Sequence, residues 1–321
     1  MTDKGTRSNM ATPRVYIDGQ SGTTGLQIYE RIGARDDLEL LRIDEDKRHD
    51  VEERRKFLNA ADIVFLCLPD QGAVEATQLV ENPDVCIIDA STAHRTNPGW
   101  TYGFPELSHA QRAAIAASKR IANPGCHATG FISTVAPLVR MGILPPDYPL
   151  TCYSLTGYSG GGKKMIAAYE DAARPEELSA PGIYGLGLTH KHLPEMRAVC
   201  GLTRDPVFMP VIDDYYKGMA TSIMLHNELL EGRPTAQQIC ERLAEYYADE
   251  RFVSVLPFGS TAQTLYANEL AGTNELHIAV CGNDERTAIV ALFDNLGKGA
   301  SGAAVQNMNI VLGLDETTGL A

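Results

Sequence analysis

Val15-Tyr16-Ile17-Asp18-Gly19-Gln20-Ser21-Gly22-Thr23-Thr24-Gly25 is the stretch on which the fold turns. A short apolar strand runs into Gly-x-x-Gly-x-x-Gly, and an amphipathic helix follows to about Arg35. Gly19, Gly22 and Gly25 permit a tight turn and the close approach of a pyrophosphate, to which the helix start offers free N–H groups. Ser21, Thr23 and Thr24 add hydroxyls. The spacing departs from the commoner Gly-x-Gly-x-x-Gly, so a turn that only connects two elements is the competing reading. The strand before it and the helix after it favour the binding one.

Working outward, the alternation continues. Leu38 to Ile43 reads as a strand and Glu52 to Ala60 as a charged helix. Asp62-Ile63-Val64-Phe65-Leu66-Cys67-Leu68 is a nearly continuous apolar run, the mark of a strand buried on both faces of a parallel sheet. A helix over Gly72 to Glu81 and a strand over Val85 to Asp89 complete the pattern. The fold class is therefore α/β, with a doubly wound, Rossmann-type sheet in the first third. After about residue 125 the texture changes. A helix begins at Cys126, is expected to break at Pro137, and ends before Pro145-Pro146. Strand-like stretches follow at Leu150 to Tyr158, Val207 to Val211, Met219 to Leu225, Leu276 to Val280 and Ala288 to Phe293. Among them stands one clear helix, Thr235 to Tyr247, started by Pro234 and Thr235. Strands outnumbering helices predict an α+β second domain on a mixed or antiparallel sheet. A final helix over about Ala300 to Leu312 is expected to return to the first domain.

The chain has 321 residues, enough for two packed units. Its net charge of -13 argues against nucleic acid and anionic membranes as partners. No apolar run approaches the roughly 20 residues that cross a bilayer. Seven widely spaced cysteines without a CxxC are not a disulfide framework, and with no signal-peptide pattern they point to a reducing cytoplasm. Met1 to Thr12 are polar and patternless, the expected texture of a mobile arm.

The strongest local signal is Asn123-Pro124-Gly125-Cys126-His127-Ala128-Thr129-Gly130. Pro124 and Gly125 form a turn that sets Cys126 at the first turn of an apolar helix, where the positive helix end should lower a thiol pKa. Most cysteines are inert buried hydrophobes, but the neighbours of Cys126 form a loop and not a core strand. A thiolate nucleophile needs a proton-handling partner. Thr189-His190-Lys191-His192-Leu193-Pro194-Glu195 offers two histidines, a lysine and a glutamate. A His-x-His metal site competes, but no third and fourth ligand follow, so no metal is expected. His127 ranks lower as a base, because adjacent helix residues do not face each other.

Around the second strand lie Arg42, Asp44, Lys47 and Arg48, where an acid would bind NAD ribose and a cation the 2′-phosphate of NADP. The cluster leans towards NADP and Arg42, with a solvated charged loop as the alternative. Gly157-Tyr158-Ser159-Gly160-Gly161-Gly162-Lys163-Lys164 combines backbone freedom with two cations, suited to a phosphate or the nicotinamide ribose; a flexible surface loop is the alternative. Gln306, Asn307 and Asn309 in an apolar helix need hydrogen-bond partners, for which a nicotinamide carboxamide would serve.

Together, Asn123 to Thr129, His190 to Glu195 and Lys298 to Asn309 resemble the N-acetyl-gamma-glutamyl-phosphate reductases of arginine biosynthesis. The turn at 19–25, Asp89-Ala90-Ser91-Thr92-Ala93-His94-Arg95 and Tyr102-Gly103-Phe104-Pro105-Glu106-Leu107 fit in the same order. The match runs from about Arg14 to Leu314, and the chain length with Gly160-Gly161-Gly162 resembles the shorter of two family types. The resemblance, which extends to aspartate-semialdehyde dehydrogenases, implies an arm over 1–13 and an NADP-binding domain over 14–125. A catalytic and dimerisation domain over 126–296 and a returning C-terminal helix over 297–321 complete it. It implies a homo-oligomer, dimer or tetramer, that uses NADPH to reduce a small acyl phosphate through a Cys126 thioester. The acid/base is His192 or His190, which sequence does not order. Glu195 orients a histidine or holds substrate. Arg95, Lys163 and Lys164 are candidate cations for a phosphate or carboxylate, with salt-bridge or solvated roles as the alternative; Asn123 joins the substrate side, and Ser91, Gly160, Gly161 and Asn307 the cofactor side. The rival readings are an aspartate-semialdehyde dehydrogenase-like enzyme, a reductase of carrier-bound amino acids, a regulatory NADP-binding protein, and a cofactor-free thiol acyltransferase or hydrolase.

Overall fold

The computed structural model describes residues 12–20 and 22–320. Residues 1–11 of the arm expected over 1–13, with Ser21 and Ala321, lie outside the described residues. The first sheet contains β1 (Arg14–Asp18), β2 (Glu39–Leu41), β3 (Ile63–Leu66), β4 (Cys86–Asp89), β5 (Thr101–Tyr102) and β6 (Arg120–Ala122). Their order is β2-β1-β3-β4-β6-β5, and every pair is parallel. The apolar runs of β3 and β4 are buried throughout, as a sheet covered on both faces requires. One face holds Val15, Ile17, Phe65 and Ile88 against α1 (Thr23–Ile32), α4 (His109–Ala117) and α9 (Gly302–Val311). The other holds Tyr16, Val64 and Ile87 against α2 (Val51–Ala60) and α3 (Asp70–Leu79). The returning C-terminal helix is therefore α9, which packs on α1 and α4.

Register decides what meets at the top of this sheet. Asp18 pairs with Leu66, Leu66 with Asp89, and Asp89 with Ala122, so the carboxyl ends of four strands lie level. The glycine turn leaves β1 there, and Asn123-Pro124-Gly125 leaves β6 there. In a parallel sheet the residues that follow strand ends form the ligand crevice.

The second sheet contains β7 (Thr151–Gly157), β8 (Gly182–Ile183), β9 (Val207–Asp213), β10 (Met219–His226), β11 (Val253–Val255), β12 (Leu276–Gly282) and β13 (Arg286–Phe293). Its order is β11-β12-β13-β10-β7-β9-β8, and it is mixed: β7 with β9 and β11 with β12 are parallel, the rest antiparallel. One face packs on α5 (Cys126–Arg140), α7 (Leu193–Cys200) and α8 (Ala236–Tyr246). The other leaves Val207, Met209 and Met224 exposed. The helix α6 (Lys163–Glu170) follows the second glycine-rich segment. No helix among the described residues is long and apolar enough to cross a membrane.

The expected break at Pro137 does not occur, because α5 runs through it to Arg140. Proline there removes the N–H that would bond the Ser133 carbonyl. The Tyr247 hydroxyl donates to that carbonyl instead, at 2.7 Å, so the interruption is satisfied from outside the helix. At the other end of the chain the small residues Gly297–Ser301 form a π-helical turn before α9.

Candidate active site

Gly125, between β6 and α5, has no room for a side chain: an added Cβ would stand 2.5 Å from both Arg95 Nη1 and His192 Nε2. The turn before Cys126 is thus pressed against a cation and an imidazole. Arg95 donates to the Asn123 carbonyl (2.9 Å), the Ala90 carbonyl (3.1 Å) and Glu195 Oε1 (2.6 Å). Glu195, 1% exposed, also accepts from the Tyr102 hydroxyl (2.7 Å) and the Gly125 N–H (3.2 Å). Its oxygens go to the frame of the cysteine turn, and none of its described hydrogen bonds goes to a histidine. Asn123 Nδ2 donates to the Ala300 carbonyl (3.0 Å), which ties the turn to the segment before α9.

Cys126 is half-buried at the start of α5. The expected depression of its thiol is not found. Burial pushes the thiol up and outweighs the His127 N–H, Arg95 and Lys191, all of which favour thiolate; Glu195 adds to the rise. The thiol therefore needs a base. His192 borders both cavities that Cys126 borders. Burial, with Arg95 and its neighbouring histidines, holds its imidazole well below the usual range, hence neutral. His192 Nδ1 is buried without a hydrogen-bond partner among the described residues. His190 borders one cavity, accepts the His192 backbone N–H on Nδ1 (3.2 Å), and is pushed down to about 4 by burial and Lys191. His127 is committed through both ring nitrogens, to Ser154 Oγ (2.8 Å) and the Tyr184 hydroxyl (2.7 Å), and burial pushes it down to about 3.

Across the crevice, the glycine turn is as tight as its composition implies. Gly19 has φ +87°, and a Cβ on Gly25 would stand 2.5 Å from the Gly19 carbonyl oxygen. Gly22 caps α1 without a side-chain bond, and among the described residues the N–H groups of Thr23, Thr24 and Gly25 have no acceptor. A cavity of about 170 Å³ is bordered by Thr23 and Thr24 at one end and by Arg95, Asn123 and Cys126 at the other, with Gly160 along its side. A second, of about 330 Å³, lies between Gly19, Gly22, Arg48, His49 and Arg54. Arg42 does not border it; its guanidinium lies over the Tyr29 ring, 5.1 Å from the centroid. Ser91 spends its hydroxyl on Asp89 (2.7 Å). Asn307 is fully buried and donates to the Gly103 carbonyl (2.9 Å) and Asn123 Oδ1 (3.2 Å), so it buttresses the turn from below. Gly161 borders the cavity on the far side of Cys126, and Lys163 is exposed at the start of α6.

Lys191, noted in its motif but given no role, borders the site, as do Tyr184, Thr156 and Met165, which were not singled out from sequence. Lys191 sits between the two histidines, which was the available signal; the other three are brought in only by folding. No group of three or more His, Cys, Asp or Glu among the described residues could hold a metal ion.

Comparison with known proteins places this geometry. Residues 14–116 match the semialdehyde dehydrogenase NAD binding domain, and residues 126–295 the semialdehyde dehydrogenase dimerisation domain. The N-acetyl-gamma-glutamyl-phosphate reductase 2 of Nostoc sp. is 46% identical over 97% of this chain and 100% of its own length. That of Pseudomonas putida is 47% identical over 95% and 98%. Among solved structures, aspartate semialdehyde dehydrogenase II of Vibrio cholerae, complexed with ASA, superposes with a TM-score of 0.69 at 15% identity, over 94% of this chain and 99% of that one. The Candida albicans aspartate semialdehyde dehydrogenase with NADP gives 0.67 at 13% identity, over the same shares.

Proposed function

The chain belongs to the semialdehyde dehydrogenase family, among its N-acetyl-gamma-glutamyl-phosphate reductases, and from that premise we propose that it reduces N-acetyl-L-glutamyl 5-phosphate to N-acetyl-L-glutamate 5-semialdehyde with NADPH. The observation that carries this reading is the single crevice joining Thr23 and Thr24 of the glycine turn to Cys126 and His192.

The residues present fit the cofactor. A Cβ at Gly19 or Gly25 would collide with the Cys67 or Gly19 backbone, so the turn keeps its shape only with glycine, and the N–H groups of Thr23 and Thr24 at the start of α1 suit a diphosphate. Arg48 and His49 would take the 2′-phosphate in place of Arg42, since they border the cavity and Arg42 does not. His192 accepts the Cys126 proton, and the thiolate attacks the acyl carbon. Phosphate departs with the C–O electron pair, leaving a thioester. The cation of Arg95 and the N–H groups at the start of α5 face the developing oxyanion and phosphate charge. When bound, NADPH supplies the hydride that adds to the thioester carbon. Collapse breaks the C–S bond, and the departing sulfur recovers its proton from the His192 imidazolium.

We further assign 14–125 to NADP binding, 126–296 to catalysis and self-association, and 297–321 to bracing the first domain. The family's dimerisation domain and the exposed Val207, Met209 and Met224 support a homo-oligomer, and seven free cysteines support a cytoplasmic setting. The test is phosphate-dependent NADP reduction with N-acetyl-glutamate 5-semialdehyde, alongside aspartate semialdehyde and the Cys126→Ser variant. Turnover of the acetylated substrate, lowered more than about 10³-fold by the substitution, is expected. Preference for aspartate semialdehyde would sink the substrate, and an active serine variant the thioester.

A further inference from the structure

Cys126 is shared by two cavities. The one described above opens to the glycine turn. The other, about 270 Å³, is bordered by residues from 126 to 212 only, among them Thr156, Met165, Tyr184, Lys191 and Ile212. It takes nothing from the first sheet or its turn, so it lies on the substrate side of the sulfur. No carboxylate is among the described residues that border it. Glu195 is buried behind Gly125, and Asp70, whose carboxyl is held down by Thr92 and more weakly by Lys191, borders neither cavity. Lys191 is exposed to the cavity and makes no salt bridge among the described residues. The far wall is apolar. Met165 packs so closely on Gly161 that a Cβ there would stand 2.2 Å from its sulfur, and Ile212 is nearly buried on β9.

Resting on the reductase reading above, we infer that this cavity selects N-acylated substrates over free amines, with Lys191 binding the α-carboxylate and Met165 and Ile212 enclosing the acyl methyl. A neutral amide needs only hydrogen bonds, and the Tyr184 hydroxyl has capacity left beyond its bond to His127. An ammonium would enter beside Lys191, with no carboxylate among the described residues bordering the cavity to pair with it. An unpaired charge taken out of water is strongly disfavoured. Selection thus comes as much from the missing acid as from the apolar wall. Met165 also sets the length of the acyl group that fits.

The experiment measures kcat/KM in phosphate-dependent NADP reduction for N-acetyl- and N-propionyl-glutamate 5-semialdehyde, and for aspartate semialdehyde with and without an N-acetyl group. The wild-type protein should favour the acetylated aspartate semialdehyde over the free amine by at least about 100-fold. Met165→Ala should raise the propionyl-to-acetyl ratio by about 10-fold or more. Lys191→Met should erase the advantage of a free α-carboxylate over its carboxamide. A cooperative urea transition at the wild-type midpoint reports that each variant is folded. An unchanged acyl ratio in Met165→Ala, or an unchanged carboxylate preference in Lys191→Met, overturns the inference while leaving the reductase reading intact. Absence of turnover with every N-acyl substrate overturns that reading and the inference with it.

Discussion

At the glycine turn, the Gly22 N–H bonds the Gly19 carbonyl three residues back, and a helix begins one residue later. At the cysteine turn, Arg95 reaches 28 residues to Asn123 and 100 residues to Glu195, and Asn123 reaches 177 residues to Ala300. The first end of the crevice is made by local geometry, the second by contacts that exist only once both sheets are in place. Damage at the first should show mainly in cofactor binding. Damage at the second should show in stability and chemistry together.

The largest effect is expected from Glu195→Ala, which leaves the buried Arg95 guanidinium unpaired and strands the Tyr102 hydroxyl and Gly125 N–H. A stability loss of about 3–5 kcal/mol should appear in urea denaturation. A loss below about 1 kcal/mol would put Glu195 outside the frame and break the contrast.

Gly25→Ala probes the opposite end. Its Cβ would fall 2.5 Å from the Gly19 carbonyl, so the turn must open. KM for NADPH should rise about 10-fold or more with a stability loss of about 1–3 kcal/mol. Equal damage to stability at both ends would erase the distinction.

Tyr247→Phe sharpens it within the cysteine's own helix. Without the hydroxyl, the Ser133 carbonyl opposite Pro137 has no donor, at a cost of about 1–3 kcal/mol. In a Pro137→Ala background the restored N–H should remove most of that cost, and a double-mutant cycle reads the difference.

The smallest effect is a displacement of the pH–rate profile. Burial keeps His192 neutral, so the acid limb of kcat/KM should lie below the free-histidine value of about 6.5. Because burial raises the Cys126 thiol, kcat/KM should climb with pH on the alkaline side instead of reaching its ceiling near neutrality. An acid limb above the free-histidine value would mean that bound substrate or cofactor, and not burial, sets the proton affinity.

The runs at β1, β3 and β4, the glycine turn, and Cys126 at a helix start were legible because each follows from neighbouring residues: period, apolar continuity, turn chemistry. Arg42, chosen for its place beyond β2, missed the cavity because loop direction put Arg48 and His49 there. Asn307 was matched to a ligand because an amide in an apolar helix needs a partner. Its donor found the Gly103 carbonyl and Asn123, which no pattern in the sequence pairs with it. The thiol was misjudged for a related reason: a helix start is visible in sequence, but the burial that opposes it is not.

By itself, then, the sequence determined a parallel sheet with a tight glycine turn after its first strand, a cysteine at a helix start and two histidines in one short segment, since these rest on backbone preferences and spacing a few residues long. Only the tertiary structure decided that Glu195 braces the turn, that His192 shares both cavities with Cys126, and that the cavity away from the glycine turn carries a lysine and, among the described residues, no acid. Those outcomes depend on burial and on pairings across tens to hundreds of residues, and neither exists until the two sheets have packed.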